Sequence, residues 1–173
     1  LDLSTLLPRA TAVVIGPGLG LESWGRDLFS RVLEIELPLV VDADGLNLLS
    51  EQPTTAGNWI LTPHPGEAAR LLAGSTREIQ CDRLVAVRRI QERYGGVCTL
   101  KGAGTLIATA DGSLSICNRG NPGMASAGMG DVLAGVIGSL LAQGLDLGKA
   151  AMSGTWLHSA AADLAANLGQ AAD

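Results

Sequence analysis

Apolar residues along this chain fall into short, dense runs separated by longer stretches in which they recur every three or four positions. The runs Ala12–Ile15, Pro38–Asp42, Trp59–Thr62 and Val97–Leu100 are brief, largely apolar and rich in β-branched residues, as strands buried on both faces of a sheet are. Between them the spacing predicts helices. One follows Glu22 and carries Leu28, Val32, Leu33 and Ile35; a short one lies around Leu46–Ser50; another runs through Leu71 and Leu72. Ser75-Thr76-Arg77-Glu78 is a capping-box signature, and a single helix behind it is expected to reach Tyr94, with Gly95-Gly96 as its stop. Thr105–Ala108 and Leu114–Cys117 flank Asp111-Gly112 and read as a hairpin. A Gly-rich loop, Gly120–Gly130, leads into a helix from Asp131 to about Gln143, and a last helix covers Leu147–Leu168.

Strands alternating with helices predict an α/β fold: a mainly parallel central sheet, helices on both faces, and one antiparallel hairpin. The length of 173 residues suits a single domain, without linker or internal repeat. A hydrophobic fraction of 47% excludes disorder, while 23 Gly and only 3% aromatic residues suit tight turns in a layered α/β domain. Lys+Arg 12 against Asp+Glu 17 gives a net charge of −5, and no basic run is present, so neither nucleic acid nor an anionic membrane surface is an expected partner. The longest uncharged apolar stretch, between Asp131 and Asp146, is too short to span a bilayer and is interrupted by Gly135, Gly138 and Gly144. Cys81, Cys98 and Cys117 are odd in number and widely spaced, which fits reduced thiols and a cytoplasmic location better than a disulfide framework or a zinc site.

Five segments could carry chemistry. In Asn121–Asp131 a run of small residues opens directly into an apolar helix, so free backbone N–H groups and the positive end of the helix dipole would favour an anion such as phosphate. Asp131 is there either as a first-turn acid that caps the helix or as a base poised beside a phosphate hole. Gly16-Pro17-Gly18-Leu19-Gly20 follows a strand but lacks the G-x-G-x-x-G spacing of a dinucleotide fingerprint; a plain strand-to-helix turn would look the same. Asp42 and Asp44 invite a metal reading, yet the segment offers no third ligand, and the plainer expectation is that Asp42 closes the strand while Asp44 caps the next helix. His64 lies between two prolines on a rigid loop, and Glu67 reads first as the acid of the following helix. Lys101-Gly102-Ala103-Gly104-Thr105 suits phosphate or adenine contact, or simply a hairpin entry, and Arg119 nearby is a possible phosphate partner. His158, among apolar neighbours in the last helix, reads as structural.

The glycine-rich loop resembles the anion-hole signature of ribokinase-like small-molecule kinases. The longer string from Asn121 through Gly135 resembles one family within that fold, the nucleotide-dependent NAD(P)H-hydrate dehydratases. Three more segments match that family in order: Val14–Gly20, Val40–Leu49 and Leu61–Glu67. The resemblance covers nearly the whole chain and implies a ribokinase-like domain that removes water from hydrated NADH or NADPH. ADP (or ATP) is then the co-substrate, converted to AMP and phosphate, with Mg2+ accompanying its phosphates. By the same resemblance Asp131 is the catalytic base. Gly18, Gly20, His64 and Asp131 meet the hydrated dinucleotide; Lys101, Gly102, Ala103, Gly104, Thr105, Gly128 and Gly130 meet the nucleotide; and Ala127, Gly128, Met129 and Gly130 form the anion hole. Met129 stands where sugar kinases carry Ala.

The family further implies a homo-oligomer and, in many bacteria, fusion to an epimerase domain. Its domain normally carries more strands and a helix before Leu1 and some chain after Asp173. A truncated domain, with an apolar face left uncovered, is therefore expected. Two rivals remain at this point: a vitamin-precursor kinase of the same fold, which would use Asp131 identically, and a nucleotide-binding fragment without turnover.

Overall fold

The computed structural model of the chain describes residues 3–170. Among these, six strands form one sheet in chain order: β1 (Val13–Ile15), β2 (Leu39–Val41), β3 (Trp59–Leu61), β4 (Val97–Leu100), β5 (Thr105–Ala108) and β6 (Leu114–Cys117). β1 to β4 run parallel, and β5 with β6 supplies the antiparallel hairpin. The helices are α1 (Leu3–Leu6), α2 (Ser23–Leu33), α3 (Ala43–Glu51), α4 (Pro65–Leu71), α5 (Thr76–Cys81), α6 (Arg83–Tyr94), α7 (Met129–Ala142) and α8 (Leu147–Gln170).

The central strands β2 and β3 are apolar throughout because both sides are covered. Successive side chains alternate across a sheet. Leu39, Val41, Trp59 and Leu61 thus pack with Phe29, Leu49 and Ile90 on one side, while Val40, Ile60, Val97 and Ile107 meet Ile137, Leu141 and Ala151 on the other. The two largest buried side chains on the first side, Trp59 and Tyr94, have their polar atoms paired. The Trp59 indole N–H donates to the Tyr94 carbonyl at 3.0 Å, and the Tyr94 hydroxyl donates to the Leu71 carbonyl at 2.8 Å. β1 forms one edge of the sheet, where Val14 is exposed, as is Val132 on α7.

The element boundaries depart from the sequence reading in four places. The helix expected from Thr76 to Tyr94 is two helices, because Asp82 leaves the helical region (φ −145°, ψ 84°) and its carboxylate accepts the Val85 N–H at 2.9 Å, capping α6. α3 starts at Ala43, earlier than the apolar spacing suggested. α7 starts at Met129, with Gly128 in the left-handed region (φ 86°) as its N-cap. The short α1 and the 3-10 turn Leu7–Arg9 were not anticipated. Cys81, Cys98 and Cys117 are free thiols, and no helix among the described residues is long and apolar enough to cross a membrane.

Candidate active site

Parallel strands deliver the residues that follow them to one end of the sheet, the usual place for a ligand site in an open α/β fold. Here that end receives the Gly16–Gly20 turn after β1, Asp42 after β2, Pro63–Glu67 after β3, Lys101 after β4, and the start of α7.

α7 opens on free donors. Gly128, the N-cap, contributes no side-chain cap, and the first helical hydrogen bond runs from the Val132 N–H to the Gly128 carbonyl at 3.0 Å. The Gly130 and Asp131 N–H groups have no acceptor among the described residues, as expected for a first turn. Neither have those of Ala127 and Gly128, whereas the Met129 N–H turns back to the Ser126 carbonyl at 3.3 Å. Backbone at the dipole's positive end is therefore offered to an anion. Asp131 caps nothing: its exposed carboxylate has no hydrogen bond or ion pair among the described residues. The loop ahead of α7 is tied to α8, where Asp163 accepts the Gly120 N–H at 3.0 Å and the Asn121 side-chain amide at 3.2 Å.

Directly beneath lies a charged strut that the sequence did not reveal. Lys101 Nζ donates to the buried Asp42 Oδ1 at 2.7 Å and stands 3.8 Å from Glu67 Oε2. A Cβ at position 130 would come within 3.2 Å of that ammonium, so glycine there lets α7 settle on the strut. Lys101, which the resemblance assigns to the nucleotide, has its ammonium engaged inside the protein by Asp42 and Glu67. Asp42 closes β2 as expected, and it does so through this ion pair.

His64 is the N-cap of α4. Its Nδ1 accepts the Gly66 N–H at 2.9 Å and the Glu67 N–H at 3.3 Å, while Glu67 Oε2 accepts the His64 N–H at 2.7 Å. A ring that accepts at Nδ1 carries its proton on Nε2, which lies 3.3 Å from Glu67 Oε1 in a half-exposed side chain. Glu67 is buried, and desolvation is the largest influence on it, raising its pKa above 4.5; Lys101 and the His64 N–H pull the other way. A carboxyl group with a raised pKa in the folded state stabilises the fold fully below its ordinary pKa, and that contribution is lost as pH rises through the folded value. Urea unfolding of Glu67→Gln is accordingly expected to lack the part of the stability decline that wild type shows on raising the pH from 4.5; an unchanged slope would refute this origin.

Asp44 does not cap α3 as expected. The cap position belongs to Asp42, which makes no side-chain cap bond. Asp44 Oδ2 instead accepts the Gly20 N–H at 2.8 Å. Asn47 then links Asp44 to Arg70 on α4, through contacts of 3.5 and 2.9 Å. The Gly18–Gly20 turn and the His64–Arg70 segment, recognised separately in the sequence, are thus joined through α3. Lys101–Thr105 forms a separate loop, anchored by the Lys101 N–H on the Pro63 carbonyl at 2.8 Å and by the Thr105 hydroxyl on the Gly102 carbonyl at 3.1 Å. Arg119 is exposed at the base of the α7 loop, and His158 lies half-buried in α8, where its buried Nε2 has no hydrogen-bond partner among the described residues.

The family model for NAD(P)H-hydrate dehydratase matches residues 2–172. The chain belongs to that family. The bifunctional NAD(P)H-hydrate repair enzyme of Coxiella burnetii is 55% identical over 168 residues, covering 97% of this chain and 34% of its own length. The ADP-dependent (S)-NAD(P)H-hydrate dehydratase of Neisseria meningitidis is 46% identical over 161 residues, covering 88% of this chain and 54% of its own. A ribokinase-like superfamily protein from Enterococcus faecalis has the same fold, with a TM-score of 0.86 and 30% identity, covering 95% of this chain and 59% of its own. The dehydratase-family chain described here thus spans about a third to a half of the length of these curated relatives.

Proposed function

We propose that this chain carries a nucleotide-dependent dehydratase site that restores NADH or NADPH from the hydrated dinucleotide, with ADP converted to AMP and phosphate. The reading rests on the unpartnered Asp131 carboxylate standing among free N–H donors at the start of α7. A lone carboxylate would repel a phosphate unless it has a proton to take, and the ring hydroxyl of the hydrate supplies one.

In the first step Asp131 accepts the hydroxyl proton as the oxygen attacks the terminal phosphoryl group of ADP; the new O–P bond forms while the bond to AMP breaks. Amides of the α7 first turn hold the charge that gathers on the phosphoryl oxygens. The ring nitrogen's lone pair then expels phosphate from the adjacent carbon, and loss of a proton from the neighbouring carbon restores the ring double bond. Gly18, Gly20 and His64 are assigned to the hydrated ring. The Lys101–Thr105 loop, with Gly128 and Gly130, is assigned to the nucleotide.

Mg2+ travels with nucleotide phosphates and neutralises their charge. Among the described residues no group of three or more His, Cys, Asp or Glu could cage it, and Asp42 is taken by Lys101. These donors do not fit a protein-held magnesium, so no step above runs through one.

The test is coupling. Formation of AMP and phosphate from ADP is expected only when hydrated dinucleotide is present, in a one-to-one ratio with the reduced dinucleotide formed. ADP breakdown that proceeds equally without hydrate, or phosphorylation of a small alcohol in its place, would overturn the reading.

A further inference from the structure

Arg83, the first residue of α6, belongs to no sequence motif, yet its guanidinium makes more hydrogen bonds to the Lys101–Thr105 loop than any side chain within that loop. Nη1 donates to the Ala103 carbonyl at 2.5 Å, and Nη2 reaches the Leu100 carbonyl at 3.3 Å and the Lys101 carbonyl at 3.5 Å. With the Thr105 hydroxyl on the Gly102 carbonyl, four consecutive carbonyls, from Leu100 to Ala103, are occupied from within the protein. The N–H groups of Gly102, Ala103 and Gly104 have no acceptor among the described residues. Three of the loop's own carbonyls, those of Lys101, Gly102 and Ala103, are thus occupied while three of its N–H groups are free, an arrangement that favours an anion. Gly102 fits this clamp at φ 144°, where an added Cβ would lie 3.0 Å from Nη2.

Arg83 is also electrostatically unbalanced. No carboxylate lies within ion-pair distance of it among the described residues, and its buried Nε has no partner. A structural arginine would ordinarily be matched by an acid, because an uncompensated, partly buried cation is costly. A concavity of about 350 Å³ borders it, lined in part by Leu84, Ala103 and Gly104. Asp82 also lines this concavity, with its carboxylate turned to the Val85 N–H at 2.9 Å.

We propose that Arg83 is a positioning residue for nucleotide binding, holding the Lys101–Thr105 loop by its carbonyls so that the loop's amides and the residual positive charge face the phosphates. This rests on the reading that the loop takes the nucleotide. The experiment compares full-chain wild type, Arg83→Met and Arg83→Lys by ADP titration, by steady-state kinetics with hydrated NADH, and by hydrogen exchange with and without ADP. Lysine keeps the charge but lacks the planar fork that reaches several carbonyls at once.

Both variants are expected to raise the KM and Kd for ADP about 10–100-fold, the scale of losing hydrogen bonds to a charged group, with kcat at saturating ADP within about threefold. Ethylguanidinium added to Arg83→Met should recover ADP affinity. In wild type, ADP should slow exchange at Gly102–Gly104, a readout that does not depend on either variant folding. Unchanged ADP affinity in both variants, or loss of stability with no selective change in the KM for ADP, would overturn the proposal alone. Wild type that binds no ADP would overturn the dehydratase reading together with it.

Discussion

Asp131→Asn should bind ADP within a few-fold of wild type yet turn over hydrated dinucleotide about 10²–10⁴ times more slowly, the usual contribution of a positioned general base. The two effects separate because different atoms produce them. The anion donors are the backbone N–H groups of Ala127, Gly128, Gly130 and Asp131, which the substitution leaves in place. The helix start is also unharmed, since Gly128 is the N-cap and the Asp131 side chain bonds to nothing among the described residues. Only a favourable dipole term of about 0.3–1 kcal/mol is removed. Calorimetric titration with ADP and single-turnover kinetics check both halves. Turnover within tenfold of wild type would remove Asp131 from the role of base.

Lys101→Met should destabilise the fold by about 3–5 kcal/mol, the cost of leaving one member of a buried pair without its partner. Asp42 is 1% exposed, and among the described residues its only ion-pair partner is Lys101 at 2.7 Å. Glu67, already pushed toward the neutral form by burial, would lose its nearest positive charge as well. Adding Asp42→Asn to Lys101→Met should recover most of the loss, because the stranded charge is then gone. Denaturant unfolding of both singles and the double variant gives the coupling directly. A Lys101→Met loss below about 1 kcal/mol, as for an exposed pair, would show that the strut is unimportant. Gly130 rests against this ammonium, so the single variant should also impair nucleotide binding through the start of α7.

The sheet was legible because buried parallel strands advertise themselves: Leu39–Val41 and Trp59–Leu61 are apolar on both faces and stop at polar or Pro-containing turns. The start of α7 was legible for a similar reason, since small residues and an acid before an apolar stretch have few other uses. What escaped was tertiary pairing. Lys101 and Asp42 are 59 positions apart and meet only because β2 and β4 flank β3 in the sheet. Asp44 looked like a helix cap from its position, but its carboxylate is drawn to the Gly20 N–H, 24 residues away. Arg83 carried no motif at all, and its part depends on α6 starting afresh at Asp82, where the apolar period runs on unbroken. His64 was readable as a rigid loop residue, while its reciprocal capping with Glu67 needed the structure.

The most direct measurement of the central claim is absorbance in the reduced-nicotinamide band after the chain is mixed with hydrated NADH, with ADP, with ATP and with neither. The account predicts a rise that requires nucleotide, is supported by ADP, and disappears in Asp131→Asn. A flat trace with ADP shown to be bound would contradict it.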